Sequence, residues 1–253
     1  MNWLITGGWG FIGTSLIARL LLDTNVKHNI RILDNLSTGT RADLASVSSF
    51  SEIKSLNQVV EIFKGVELIV GDILDESLAY KITKNIDVIV HLAANTGVGP
   101  SVENPRLDCF TNVIGTFNYL DAARVNNVPR FIFASSGAPA GEVEPPIHEE
   151  LPPHPVSPYG ASKLAGEGYC SAYNKSFGID TVMLRFGNVY GPGSLHKSSV
   201  VAKFIRQALD GEVLELFGDG SQTRDFIYID DLIDALILSS VVSGIGGEAF
   251  QIA

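Results

Sequence analysis

The chain has 253 residues, 45% hydrophobic and 18% charged, and 18 Lys and Arg against 28 Asp and Glu give a formal net charge of −10. That length buries a sizeable core in roughly one domain or one and a half, and an acidic balance with no basic stripe excludes nucleic acid and an acidic membrane surface as partners. Cys109 and Cys170 stand apart with no CxxC, so neither a disulfide framework nor a metal site is expected, and the usage suits a reducing compartment.

The chain runs directly into Asn2-Trp3-Leu4-Ile5-Thr6, with no basic region and no apolar leader core. Its longest apolar stretch, 86–94, is interrupted by Asp87 and His91 and is too short to span a bilayer. A soluble, cytoplasmic protein is expected. In chain order, short apolar runs at 3–6, 30–34, 67–71, 87–92, 130–134 and 181–186 read as strands. Amphipathic stretches at 11–22, 76–84, 107–126 and 158–177 read as helices between them. Strands this apolar belong in a parallel sheet covered on both faces, and the alternation implies right-handed crossovers. The predicted class is α/β with a doubly wound parallel sheet.

Seven of the 11 prolines fall between Pro139 and Pro158, among Glu142, Glu144, Glu149 and Glu150. Such a stretch is neither helix nor central strand. It is a surface connection or a loop bordering the functional site. Past Phe186 a glycine-rich turn leads to a helix near 200–210, a strand at 212–217, a helix at 230–242 and a closing strand at 250–253. Residues 1–186 are therefore expected to form a nucleotide-binding domain. Residues 187–253 are expected to form a small discontinuous lobe, whose sheet could in part rejoin the main domain.

Gly7-Gly8-Trp9-Gly10-Phe11-Ile12-Gly13 sets glycines three apart between a strand and a helix. Glycine permits the tight turn and lets backbone approach a pyrophosphate at the helix N-terminus. Asp34 closes the next strand, where a carboxylate accepts bonds from both ribose hydroxyls and repels a 2′-phosphate. Together they predict NAD rather than NADP.

Tyr159 and Lys163 lie one turn apart on one helix face. A neighbouring cation is expected to lower the phenol's pKa, making Tyr159 a base for a hydroxyl proton. Tyr80 and Lys84 repeat the spacing, but they follow the third strand, away from the expected crevice. Tyr80 is predicted to be an ordinary half-buried tyrosine. Pro158 suits the first turn of a helix, which places Tyr159 after the fifth strand and its terminal Ser135 and Ser136.

These segments, with Asp34-Asn35-Leu36-Ser37-Thr38-Gly39, Gly71-Asp72-Ile73, His91-Leu92-Ala93-Ala94, Ser101-Val-Glu-Asn-Pro105, Asn112-Val-Ile-Gly-Thr116, Leu184-Arg-Phe-Gly-Asn-Val-Tyr-Gly-Pro192 and Thr223-Arg-Asp-Phe226, run the length of the chain. In that order they resemble the extended short-chain dehydrogenase/reductase family, and within it the UDP-glucose 4-epimerase group. The resemblance implies a Rossmann sheet, NAD, a nucleotide-sugar substrate and a homodimer packed through 107–126 and 158–177. By position it implies that Gly7, Gly10, Phe11, Ile12, Gly13, Asp34 and Asn35 hold the dinucleotide. Asp72 and Ile73 would flank its adenine and Ala93 would line its path. Lys163 and Tyr159 would meet the nicotinamide ribose. Ser136 would be the hydroxyl beside Tyr159, Asn188 would contact the sugar nucleotide, and Arg224 would grip its diphosphate, as a planar guanidinium does well.

Two departures stand out. Relatives have Val-Tyr-Gly where this chain has Pro139-Ala140-Gly141, and this chain stops where they continue, so the lobe is expected to be shortened. Dehydratases of the family follow the catalytic hydroxyl with Asp-Glu, and decarboxylases place a Glu there. Here Gly137 and Ala138 follow Ser136. C4 epimerisation through a 4-keto sugar is thus expected, with dehydratase, decarboxylase, reductase or a non-catalytic nucleotide-sugar-binding protein as alternatives.

Overall fold

Trp3, Leu4 and Ile5 point to alternate faces of their strand, yet all three are buried. The same holds along 30–33 and 88–91, because helices cover both sides of the sheet. The computed structural model describes residues 1–194, 199–216 and 218–253. Its strands are β1 (Asn2–Thr6), β2 (Asn29–Asp34), β3 (Ser51–Ile53), β4 (Val66–Val70), β5 (Val88–His91), β6 (Arg130–Ser136), β7 (Asp180–Phe186), β8 (Asn188–Tyr190), β9 (Phe226–Tyr228) and β10 (Glu248–Ile252). Eight pair in parallel, in the order β10-β7-β6-β5-β1-β2-β4-β3, while β8 and β9 form a separate parallel pair.

The helices are α1 (Phe11–Leu22), α2 (Arg41–Ala45), α3 (Glu76–Ile82), α4 (Val98–Glu103), α5 (Pro105–Cys109), α6 (Gly115–Val125), α7 (Pro158–Phe177), α8 (Val200–Asp210) and α9 (Ile229–Val241). One face of the sheet packs Leu16, Ile17 and Leu20 of α1 and Leu232, Ile233 and Leu236 of α9 against Trp3, Ile5, Ile32 and Val90. The other packs α3, α6 and α7 against Leu4, Leu33, Ile89 and Phe131. The doubly wound class follows from those two layers. Arg31 sits fully buried within β2, its guanidinium spent on Glu67 and on the carbonyls of Ile82 and Val60.

Several sequence expectations change. The predicted helix at 107–126 begins at Pro105 and is interrupted by a π-turn at Phe110–Ile114, after which it resumes as α6. The predicted strand at 212–217 is irregular over 212–216, and Phe217 lies outside the described residues. Its apolar alternation finds no partner strand among the described residues, leaving Val213 86% and Leu216 66% exposed. The strand that pairs in this region is β9, against β8. The closing strand starts at Glu248 and joins the edge of the main sheet beside β7. The proline-rich stretch holds one 3-10 turn at Ala138–Ala140 and a single bridge from Gly141 to His154.

Candidate active site

Strand connections run in opposite directions on the two sides of β1, and the carboxyl ends of β1, β2 and β5 open there onto a cavity of about 1160 Å³. Ten of the residues predicted to hold a dinucleotide line it: Gly7, Gly10, Phe11, Ile12, Gly13, Asp34, Asn35, Asp72, Ile73 and Ala93. Two glycines are dictated by contact. Gly7 has a φ of +68°, and a Cβ there would stand 2.7 Å from the Ala93 nitrogen. A Cβ on Gly13 would stand 2.5 Å from the Gly8 Cα, so α1 seats directly on the turn's backbone. No side chain caps α1 at Gly10, and the positive end of the helix at this turn suits an anion.

Asp34 is 8% exposed, and each of its oxygens already accepts one backbone N–H. Oδ2 takes that of Trp9 at 3.0 Å and Oδ1 that of Leu36 at 2.9 Å. Each oxygen keeps a second acceptor position, which suits two hydroxyls of one ribose. Burial raises its pKa, against those backbone bonds. Across the cavity Asn118 donates to the Ile73 carbonyl at 3.0 Å, and Asp72 accepts the Leu74 N–H at 2.9 Å. Ala93 is placed by a buried relay. The Thr116 hydroxyl donates to the Asn112 carbonyl, so the Nε2 of His91 donates to Thr116, and Nδ1 accepts from Thr6. Thr6 Oγ1 in turn accepts the Ala93 N–H. Burial holds His91 neutral, its pKa pushed down to about 3.

Tyr159 and Lys163 ride on the first turns of α7. Ser157 accepts the Gly160 N–H at 3.1 Å, Pro158 opens the helix, and Gly178 ends it in the left-handed conformation. Ser136, the last residue of β6, stands beside the Tyr159 phenol and works to lower its pKa. Lys163 is buried, donates to the Ala134 carbonyl at 2.7 Å and lies 5.8 Å from the centre of the Tyr159 ring. The expected lowering of the Tyr159 pKa is corrected here. Burial raises it, opposed by the Ser136 hydroxyl, since the ammonium is turned to a carbonyl instead of the phenol oxygen. Burial also brings Lys163 down to about 8.

Tyr80 and Lys84 separate from one another. The Tyr80 hydroxyl donates to Asp121 at 2.5 Å, pushing its pKa up to about 12, and Lys84 pairs with Glu61. Tyr80 is half-buried, as its sequence position implied.

Ser136, Tyr159 and Lys163 do not form the cavity wall themselves. They connect to it through Asn112, a residue that the sequence motif contained without a role. Its amide exchanges bonds with the backbone of Asn95 on the wall and donates to Ser162 of α7. Asn188 and Arg224 also lie off the wall, near one another at one end of the β8–β9 pair. There Asn188 donates to the Asp225 carbonyl, and Arg224 to that of Thr223. Sequence reasoning also passed over Trp9, a buried wall residue of the glycine turn, and Glu167, which holds Arg185 at 2.8 and 2.9 Å and accepts from Ser135. Neither has a spacing that announces it. Among the described residues no cluster of His, Cys, Asp and Glu could hold a metal ion, and no helix is long and apolar enough to cross a membrane.

A parallel doubly wound sheet with a glycine turn, a strand-end Asp and a Tyr–Lys helix defines a dinucleotide-dependent enzyme of the short-chain dehydrogenase/reductase kind. The family is specific: residues 3–253 match the NAD dependent epimerase/dehydratase family, and the chain belongs to it. It is 35% identical to the UDP-glucose 4-epimerase of Mycolicibacterium smegmatis, over 100% of this chain and 77% of that protein. The UDP-N-acetylglucosamine 4-epimerase of Methanobrevibacter ruminantium, solved with UDP-N-acetylmuramic acid, superimposes with a TM-score of 0.86 at 34% identity, covering 100% of this chain and 76% of that one. The UDP-glucose 4-epimerase of Thermotoga maritima, solved with UDP-glucose, gives a TM-score of 0.85 at 31% identity, with coverage of 100% and 76%.

Proposed function

We propose that this chain is an NAD-dependent 4-epimerase of a UDP-sugar. The observation that carries the reading is the end of β6. Ser136 is followed by Gly137 and Ala138, with no carboxylate to remove water or steer carbon dioxide loss, and Ala138 gives its N–H to the Ser136 hydroxyl at 3.2 Å. The nearby loop acid Glu149 is spent on the Gln251 N–H.

The cavity fits NAD. Backbone contact at Gly7 and Gly13 leaves a side-chain-free cradle for a pyrophosphate, and Asp34 keeps an acceptor position on each oxygen for the ribose. When bound, NAD supplies the hydride acceptor and donor that interconvert an alcohol and a ketone at C4. Tyr159 takes the C4 hydroxyl proton at its phenol oxygen and returns it, with Ser136 orienting both oxygens. Lys163, ammonium below pH of about 8, holds a ribose hydroxyl and places a positive charge 5.8 Å from the centre of the Tyr159 ring. Residues 1–186 carry the cofactor and 187–253 the sugar nucleotide, with Asn188 and Arg224 as its contacts. Incubating the protein with NAD and each of UDP-glucose, UDP-galactose, UDP-N-acetylglucosamine and UDP-glucuronate, followed by NMR, tests the reaction. One sugar converts to its C4 epimer without net NADH, and loss of water or carbon dioxide from the sugar contradicts the reading.

Removing the Asp34 carboxylate deletes both ribose acceptors. Asp34→Ala is expected to weaken NAD binding by about two to four orders of magnitude in calorimetry, each of the two charged hydrogen bonds contributing about 1.5–3 kcal/mol. It also narrows the preference over NADP, since the 2′-phosphate loses its opposing charge. Unchanged NAD affinity places the ribose elsewhere.

A homodimer is the assembly this surface favours. Leu107, Phe110, Ile114 and Tyr169 are exposed along α5 to α7, and apolar side chains exposed together favour a protein contact. Phe110→Glu is expected to shift sedimentation from dimer to monomer, and a monomeric parent protein refutes this assembly. Unpaired Cys109 and Cys170 fit a cytoplasmic location.

A further inference from the structure

Asp108 carries a carboxylate that is 1% exposed, on the turn of α5 that packs against α7. Its Oδ1 accepts from Asn112 Nδ2 at 3.0 Å, and its Oδ2 has no hydrogen-bond partner among the described residues. A buried anion in that condition is expensive unless a cation lies nearby. Asn112 Nδ2 has two hydrogens and three acceptors within reach: Asp108, the Asn95 carbonyl at 2.9 Å and Ser162 at 3.1 Å. Ser162 then donates to the Tyr159 carbonyl at 3.0 Å. Asp108 is thereby fixed to the same turn of α7 that presents Tyr159 and Lys163.

Lys163 has the complementary problem. It is 3% exposed, and its one hydrogen-bond acceptor among the described residues is a neutral carbonyl. The groups that face it are Asp108 from α5, Glu167, Cys170 and Tyr159 from α7, and His91 from β5. His91 is neutral, and burial keeps the Cys170 thiol protonated. Glu167 is already matched by the guanidinium of Arg185, leaving Asp108 as the unmatched anion. Its field raises the pKa of Lys163 and of Tyr159 alike.

We propose that Asp108 is a positioning residue of this site: its buried carboxylate is the counter-charge that keeps Lys163 an ammonium, while its bond to Asn112 fixes that charge against the Tyr159 helix. The inference rests on the epimerase reading for its purpose, but its test does not require turnover. Removing the negative charge disfavours the ammonium and eases ionisation of the phenol, so both titrations move to lower pH.

The test is NMR of protein labelled with carbon-13 at lysine Cε, titrated with pH, the Lys163 signal being the one missing from Lys163→Gln. Asp108→Asn is expected to lower the Lys163 midpoint by about one pH unit, and Asp108→Glu, which keeps the charge, to restore it. If Asp108→Asn does not fold, Asp108→Ser reads the same titration. An unchanged Lys163 midpoint in a folded, charge-free variant overturns the proposal. Should the parent protein turn over no UDP-sugar, the epimerase reading fails while this titration still decides the role of Asp108. With turnover, the upper limb of the kcat/KM profile moves down with the Lys163 midpoint, whereas a purely structural role lowers kcat/KM at every pH without moving that limb.

Discussion

Tyr159→Phe is expected to lower kcat by about two to four orders of magnitude while NAD binds with nearly parental affinity. The substitution keeps the ring in its place beside the Lys163 ammonium and removes only the oxygen that Ser136 faces. Tyr80 is committed to Asp121, and Tyr119 is buried in the core. Tyr80→Phe therefore serves as the paired control, with turnover expected within about twofold of the parent, as for a substitution away from the site. Steady-state kinetics on the two variants, with calorimetric NAD titrations, gives the comparison. Equal losses from both place the chemistry away from α7.

The second large effect is structural. Gly13→Ala puts a methyl group 2.5 Å from the Cα of Gly8 and 2.7 Å from its carbonyl carbon, and both are backbone atoms that cannot swing aside. The helix has to lift off the turn, which separates Leu16 and Ile17 from the sheet and distorts the cradle at once. Overpacking of this kind costs about 1–3 kcal/mol, and a backbone neighbour puts it at the upper end. Chemical denaturation is expected to show that loss, together with NAD affinity falling below detection. A stable variant that binds NAD normally means α1 is not seated on the turn as described.

The parts of the fold legible in the sequence are those where one local signal suffices. β1, β2 and β5 read as strands because each carries a short, mostly apolar run, which follows from burial on both faces. α7 has a Ser cap, a Pro at its first turn and a Gly at its end, so its limits are written in residue types. Asp34 was legible because its distance from the glycine turn is set by one βαβ unit. Other features depend on tertiary context. The π-turn at 110–114 has no composition signal, and β9 is three residues long, recognisable only through its pairing with β8. The segment at 212–216 alternates like a strand, but a strand requires a partner.

The electrostatics of the site were the least legible part. Sequence spacing puts Lys163 one turn from Tyr159 and so predicts an acidified phenol. In the folded chain the amine is directed at Ala134, and burial outweighs it. Asp108 shows the same limit from the other side. On a sequence it is one acid in a helix, and only packing of α5 on α7 makes it a buried carboxylate facing Lys163.

The central claim, C4 epimerisation, is tested most directly with UDP-sugar deuterated at C4, incubated with the protein and NAD in ordinary water. The account predicts the C4 epimer with deuterium still on C4 and no accumulation of NADH. Product with protium at C4, or release of reduced cofactor with a keto sugar, contradicts it.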